Sequence, residues 1–156
     1  MSNNLIAIYP NSIGFGYVVR GDNGILINYG MVAISPVDNE KCLKRIDRII
    51  EYYKSKTLVL ESSISKKKSR VKKLIRKISK RDDVKIFKYT EIEVRDVFEL
   101  YKAKNKYERS RKIAEVYTEL ETKLPEKRKE WESENYYQAI FDAMALMLTY
   151  SHFEEY

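Results

Sequence analysis

Hydrophobic positions in the first part of the chain follow the spacing of strands. Leu5 to Tyr9, Gly14 to Arg20 and Ile25 to Ile34 are rich in Ile, Val and Tyr, side chains that suit a pleated, half-buried surface. Gly-Asp-Asn-Gly at 21–24 supplies a hairpin loop, so three antiparallel strands are predicted. After Ile34 the period becomes helical. Leu43, Ile46, Ile49 and Ile50 share one face of a helix running to about Lys54, with its start predicted at Ser35-Pro36-Val37-Asp38: a cap, a first-turn proline and an early acid. Thr57 to Glu61 is a short continuous apolar run, the pattern of a central parallel strand covered on both faces. Val71, Leu74, Ile75 and Ile78 predict a helix over 66–81, and Val84 to Tyr89 another strand, which completes a βαβ unit. Thr90 and Glu93 match a capping box for a helix to about Ala103. Tyr107 to about Lys123 and Asn135 to Phe153 make two more.

Composition narrows this little. A chain of 156 residues, 44% of them hydrophobic, is expected to form one domain over 1–156 with a sizeable core. Its 30 Lys and Arg against 23 Asp and Glu give a net charge of +7, which favours a polyanionic partner and is silent about fold. A single cysteine, Cys42, excludes an internal disulfide, and no Cys/His cluster offers a zinc site. No stretch approaches the ~20 apolar residues of a membrane span, and the N-terminus has no secretory pattern. The expectation is an intracellular protein, cytoplasmic or nucleoid-associated, without a membrane partner. The one histidine, His152, falls near the end of the last predicted helix with no Ser or Cys partner in sequence.

Three stretches in order carry a resemblance. Ile6-Ala-Ile-Tyr-Pro-Asn-Ser-Ile-Gly-Phe-Gly-Tyr17 resembles the opening strand and turn of the RuvC branch of the ribonuclease H-like superfamily, the bacterial Holliday junction resolvases, where a hydrophobic run ends in Asp-Pro-Gly-Ser. Leu58-Val-Leu-Glu61 resembles the strand that ends in the second acidic ligand, and Ile140-Phe-Asp-Ala-Met-Ala-Leu-Met-Leu-Thr149 the last helix with its final acid. The element order β-β-β-α-β-α-β followed by helices agrees. The resemblance implies an α/β fold with a ribonuclease H-like five-stranded mixed sheet, three antiparallel strands then parallel ones, flanked by helices.

It also implies a site. Glu61 and Asp142 would be metal ligands and catalytic residues, with Mg²⁺ or Mn²⁺ as cofactor and the chain a homodimer. Hydrolysis of a phosphodiester is commonly assisted by two metal ions ~3.5–4 Å apart that stabilise the attacking and leaving oxygens. Such ions need hard oxygen ligands. The family has an aspartate where this chain has Tyr9, and RuvC has a further acid where this chain has Ala139. Tyr9 is therefore a degenerate ligand position, since a phenol with an ordinary pKa near ~10 is a neutral, poor ligand. Glu134 and Gln138, two turns and one turn before Asp142, are placed to join the site, and Glu134 is the charged candidate.

Each acid also has a plain reading. Glu61 could simply be solvated at a strand end, and Glu134 could be a helix-start acid favoured by the dipole. Asp142 sits in so apolar a stretch that an unpaired carboxylate there would be costly. Tyr9 could be a core aromatic.

The run from Lys66 to Arg81 holds ten basic residues in sixteen. Of these Lys66, Lys67, Lys68, Arg70, Lys72, Lys73, Arg76 and Lys77 are candidates for gripping phosphates, together with Lys104, Lys106, Arg109, Arg111 and Lys112 of a second basic segment. A solvated lysine-rich face is the competing reading. Two functions from different classes follow. One is a metal-dependent, structure-selective endodeoxyribonuclease acting on Holliday junctions or branched DNA, weakened by Tyr9. The other is a catalytically inactive protein on the same fold that binds duplex or branched DNA. An RNA-processing relative, with RNA as partner, is a third.

Overall fold

The computed structural model describes residues 3–64, 67–129 and 134–155. Three antiparallel strands open the fold: β1 (Leu5–Pro10), β2 (Gly14–Arg20) and β3 (Leu26–Ala33). Helix α1 (Asn39–Tyr53) leads to β4 (Thr57–Glu61), and α2 (Ser69–Ile78) to β5 (Lys85–Tyr89). Strands β1, β4 and β5 are parallel, and the sheet order is β3-β2-β1-β4-β5. Helices α3 (Glu91–Glu99), α4 (Lys106–Val116) and α5 (Gln138–Glu154) follow, with a short 3₁₀ helix at Thr118–Lys123 between the last two. The predicted mixed sheet, three antiparallel strands then parallel ones, is the sheet observed.

Alternation along β1 splits the interior into two layers. Leu5 and Ala7 pack with Val18, Val59 and the helices α3, α4 and α5. Ile6 and Ile8 point the other way, onto Cys42, Ile46 and Ile50 of α1 and Leu74 and Ile78 of α2. Helix α5 is apolar almost all round and crosses β2, β1 and β4, as a helix enclosed by sheet and neighbouring helices must be.

Helix starts and stops depart from the sequence expectation where side chains intervene. Helix α1 is capped by Asp38, whose carboxylate accepts from the amides of Glu40 and Lys41, so Ser35 and Pro36 lie upstream of it. The predicted helix over 107–123 is broken at Tyr117, whose backbone (φ −106°, ψ 81°) leaves the helical region; the 3₁₀ turn that follows buries Leu120 completely. Helix α5 begins at Gln138 rather than Asn135, because Asn135 Oδ1 accepts from the Tyr137 amide at 2.8 Å and holds a turn there. The capping box is present as predicted: Thr90 and Glu93 exchange side-chain to backbone bonds at the start of α3.

One glycine sets the distance between α5 and the sheet. A Cβ on Gly16 would stand 2.4 Å from the backbone of Ala139. Gly16→Ala is therefore expected to push α5 off β2, costing about 1–3 kcal/mol by overpacking. Thermal unfolding measures this, and an unchanged midpoint would contradict the close packing.

Candidate functional site

Strand parity brings the first two candidate residues together. Ala7 lies opposite Val59 and Ile8 opposite Leu60 in the parallel β1–β4 pair. The residues that follow, Tyr9 and Glu61, thus reach the carboxyl ends of neighbouring strands, pointing to the same face as Ala7 and Val59. That face is the one covered by α5, which supplies Asp142 one turn after Gln138. Carboxyl ends of parallel strands are where α/β sheets commonly place ligands. Tyr9, Glu61 and Asp142 line one cavity of about 150 Å³ with Lys67, Glu91, Lys106 and Arg109.

Two ammonium groups sit among the carboxylates. Lys67, just before α2, places Nζ 2.5 Å from Glu61 Oε2, donates to Tyr9 Oη at 2.6 Å, and stands 4.0 Å from the Tyr9 ring centre. Lys106, the first residue of α4, places Nζ 3.3 Å from Asp142 Oδ2 and 3.2 Å from Glu134 Oε2. It is 5.9 Å from the Tyr9 ring centre, so the phenol lies between the two cations. Gln138 completes the arrangement, its Nε2 donating to Asp142 Oδ1 at 3.2 Å and to Ser110 Oγ at 3.1 Å.

The electrostatics follow burial first. Burial raises the Glu61 and Asp142 carboxyls above their ordinary range, and Lys67 and Lys106 respectively offset it. Burial also opposes the Lys106 ammonium, but Asp142 and Glu134 outweigh it, and its pKa moves up. Burial, followed by Asp142, Glu61 and Glu134, pushes the Tyr9 phenol well above its usual value, so it stays protonated. The Arg109 side chain, one turn after Lys106, has no ion-pair or hydrogen-bond partner among the described residues, and burial lowers its pKa.

A divalent ion fits these residues poorly. Mg²⁺ wants near-octahedral oxygen ligands at about 2.0–2.1 Å, while the two deepest carboxylates here each face a lysine and the third position is a neutral phenol. Among the described residues no group of three or more His, Cys, Asp or Glu is arranged to hold a metal. The geometry is that of a charge-balanced cluster in which cationic side chains neutralise the acids.

The other candidates are dispersed. Glu134 precedes α5 and so is not on its face; it nears Asp142 through Lys106. In and around α2, Arg70 bonds Asn39 and the Asn11 carbonyl, Lys77 pairs with Glu40, and Arg81 pairs with Asp47 and Asp83. Lys68, Lys73 and Arg76 are exposed and Lys72 half-buried, while Lys66 lies outside the described residues. On and before α4, Lys104, Arg111 and Lys112 are exposed, and Arg111 lies 5.9 Å from the Tyr107 ring. The basic runs of the sequence mark Lys67 and Lys106 as phosphate-gripping candidates, whereas both turn inward onto the acids, and Glu91, which lines the cavity with them, carries no mark in the sequence.

The whole arrangement has relatives in shape. The chain superposes on the structure of Thermus thermophilus RuvC with a TM-score of 0.62 and 14% identity, covering 97% of this chain and 95% of that one. It also superposes on T. thermophilus RuvC in complex with a Holliday junction substrate, with a TM-score of 0.62 and 13% identity over 97% and 96%. No protein-family model and no curated protein sequence matches the chain. At that identity the likeness is one of architecture, and the architecture is the ribonuclease H-like fold of RuvC.

Proposed function

We propose that this protein binds duplex or branched DNA on a RuvC-like fold and does not hydrolyse it by a metal-dependent route. One observation carries the reading: Lys67 and Lys106 are ion-paired to Glu61 and Asp142, the carboxylates that the resemblance assigns to metal. An ammonium supplies charge but no Lewis acidity and generates no metal-bound hydroxide, two of the contributions an ion makes to phosphodiester cleavage. With Tyr9 neutral between them, the cluster offers no strand-one carboxylate to bridge two ions.

Binding rests on the surface. Lys68, Lys72, Lys73 and Arg76 on the approach to α2 and along it have no ion-pair partner among the described residues, and Arg109 opens onto the cavity. Contacts of this kind follow the phosphate backbone and weaken steeply with salt. The relative solved with a Holliday junction makes four-way DNA the first ligand to try.

A labelled four-way junction, a linear duplex and duplex RNA, each titrated at matched salt and then incubated with Mg²⁺ or Mn²⁺, test this together. The expected result is salt-sensitive DNA binding with no cleavage. Metal-dependent cutting abolished by Glu61→Gln and by Asp142→Asn would instead establish the endonuclease with Glu61, Asp142 and Glu134 at its centre, and preference for RNA would establish the RNA-processing relative.

A further inference from the structure

Helix α1 carries a second array of cations that the site does not use. Lys41, Lys44, Arg45 and Arg48 recur at the i, i+3, i+4, i+7 spacing of one helical face. All four line a shallow hollow with Ala33 and Ile34, and no carboxylate lines it. Of the acids of α1, Glu40 pairs with Lys77 and Asp47 with Arg81, on and just after α2, and Glu51 stands one turn beyond Arg48 at the end of the array. None of the four cationic side chains has an ion-pair or hydrogen-bond partner among the described residues. Lys41 with Arg45 and Lys44 with Arg48 are like charges one turn apart, which destabilise a free helix, offset in part by Glu40 one turn before Lys44 and Glu51 one turn after Arg48; an anion over the hollow would relieve the remainder.

Size and place point to the covering group. From Lys41 to Arg48 the helix advances about 10 Å at ~1.5 Å per residue, the axial length of about three phosphates of one DNA strand at ~3.4 Å each. Helix α1 packs on Ile6, Ile8 and Phe15, the sheet face opposite α5, whereas the Tyr9 cavity lies on the α5 face. The sheet separates the α1 array from the cavity; α2 packs on the same side of the sheet as α1, with the Glu40–Lys77 and Asp47–Arg81 pairs joining the two helices.

We propose that this face of α1 is a second backbone track, which holds one duplex arm of a branched DNA while the cavity rim and α2 hold another. The proposal rests on the DNA-binding reading above and adds a second, separate surface to it.

The test compares wild type with the combined variant Lys41→Gln, Lys44→Gln, Arg45→Gln and Arg48→Gln on a four-way junction and on a linear duplex of the same sequence. Junction affinity should fall at least tenfold at low salt. The salt slope should drop by about 0.9 for each phosphate left unneutralised, up to about 3.6. Duplex affinity should change less than twofold, because one arm still occupies the α2 track. A matched variant with Lys68, Lys73, Arg76 and Lys80 changed to Gln should weaken both ligands. Thermal unfolding of the α1 variant should show an equal or higher midpoint, which separates weakened binding from failed folding. Unchanged junction binding overturns the α1 track while leaving the DNA reading intact, and equal weakening on both ligands replaces two tracks by one. If wild type binds neither DNA, both readings fall; if it binds anionic phosphatidylserine vesicles through α1 instead, the partner is a lipid surface and the proposal is overturned.

Discussion

Changing Tyr9→Asp together with Lys67→Gln and Lys106→Gln is expected to create a divalent-metal site. The triple variant restores the missing strand-one carboxylate and removes the two ammonium groups that now neutralise Glu61 and Asp142. Three acids from β1, β4 and α5 would then face one cavity with no lysine paired to them and Arg109 remaining in its lining. A ligand at a hundred times its Kd stabilises the folded state by about 2.7 kcal/mol, and each kcal/mol shifts the midpoint of a domain this size by about 2–4 °C. Added Mn²⁺ or Mg²⁺ should therefore raise the variant's Tm by about 5–10 °C and leave that of wild type unmoved. Tyr9→Asp alone should gain less, since the new acid would meet two cations already in place. No metal response in a triple variant that still unfolds cooperatively would mean that the acids do not converge as described.

Lys67→Ala is expected to be strongly destabilising. The ion pair is largely buried, with 14% of the Lys67 side chain and 6% of the Glu61 side chain exposed. Removing one partner of such a pair typically costs about 3–5 kcal/mol, because it leaves an uncompensated charge inside. Pairing it with Glu61→Gln should recover most of the loss, a coupling that a double-mutant cycle reads directly. The effect has a pH signature. Burial already raises the Glu61 carboxyl, and without Lys67 it rises further. A carboxyl with a raised folded pKa holds its proton more tightly in the folded state, so stability falls as pH climbs from the unfolded value near ~4.3 through the folded one. The Lys67→Ala penalty should be full above that folded pKa and should fade as pH drops toward ~4. A penalty independent of pH would point to poorer packing.

Much of this was legible in the chain. The alternation in β1 and the unbroken apolar run of β4 fix which residues point toward α5, so the approach of Tyr9 to Glu61 follows from register once β1 and β4 pair in parallel. Asp142 declares itself by standing in an apolar helix. The inward turn of Lys67 and Lys106 is of another kind: a lysine in a basic run has the same local signature whether it meets solvent or a buried acid, and only the convergence of distant acids decides. Glu134 was misplaced on a helix because Asn135 ends the helical pattern through its own side chain, a turn that apolar spacing does not register. The α1 cations were spaced for one face, yet Glu40, Asp47 and Glu51 dilute them into what looks like an ordinary mixed-charge helix.

Titration of the unaltered protein with Mn²⁺, followed by paramagnetic resonance of the free ion, asks whether cationic side chains have taken the place of metal. The expected result is no saturable binding at millimolar ion, with Glu61→Gln and Asp142→Asn indistinguishable from wild type. Saturable uptake of one or two ions, abolished in both variants, would show that Lys67 and Lys106 yield to metal and that the centre is built to cut.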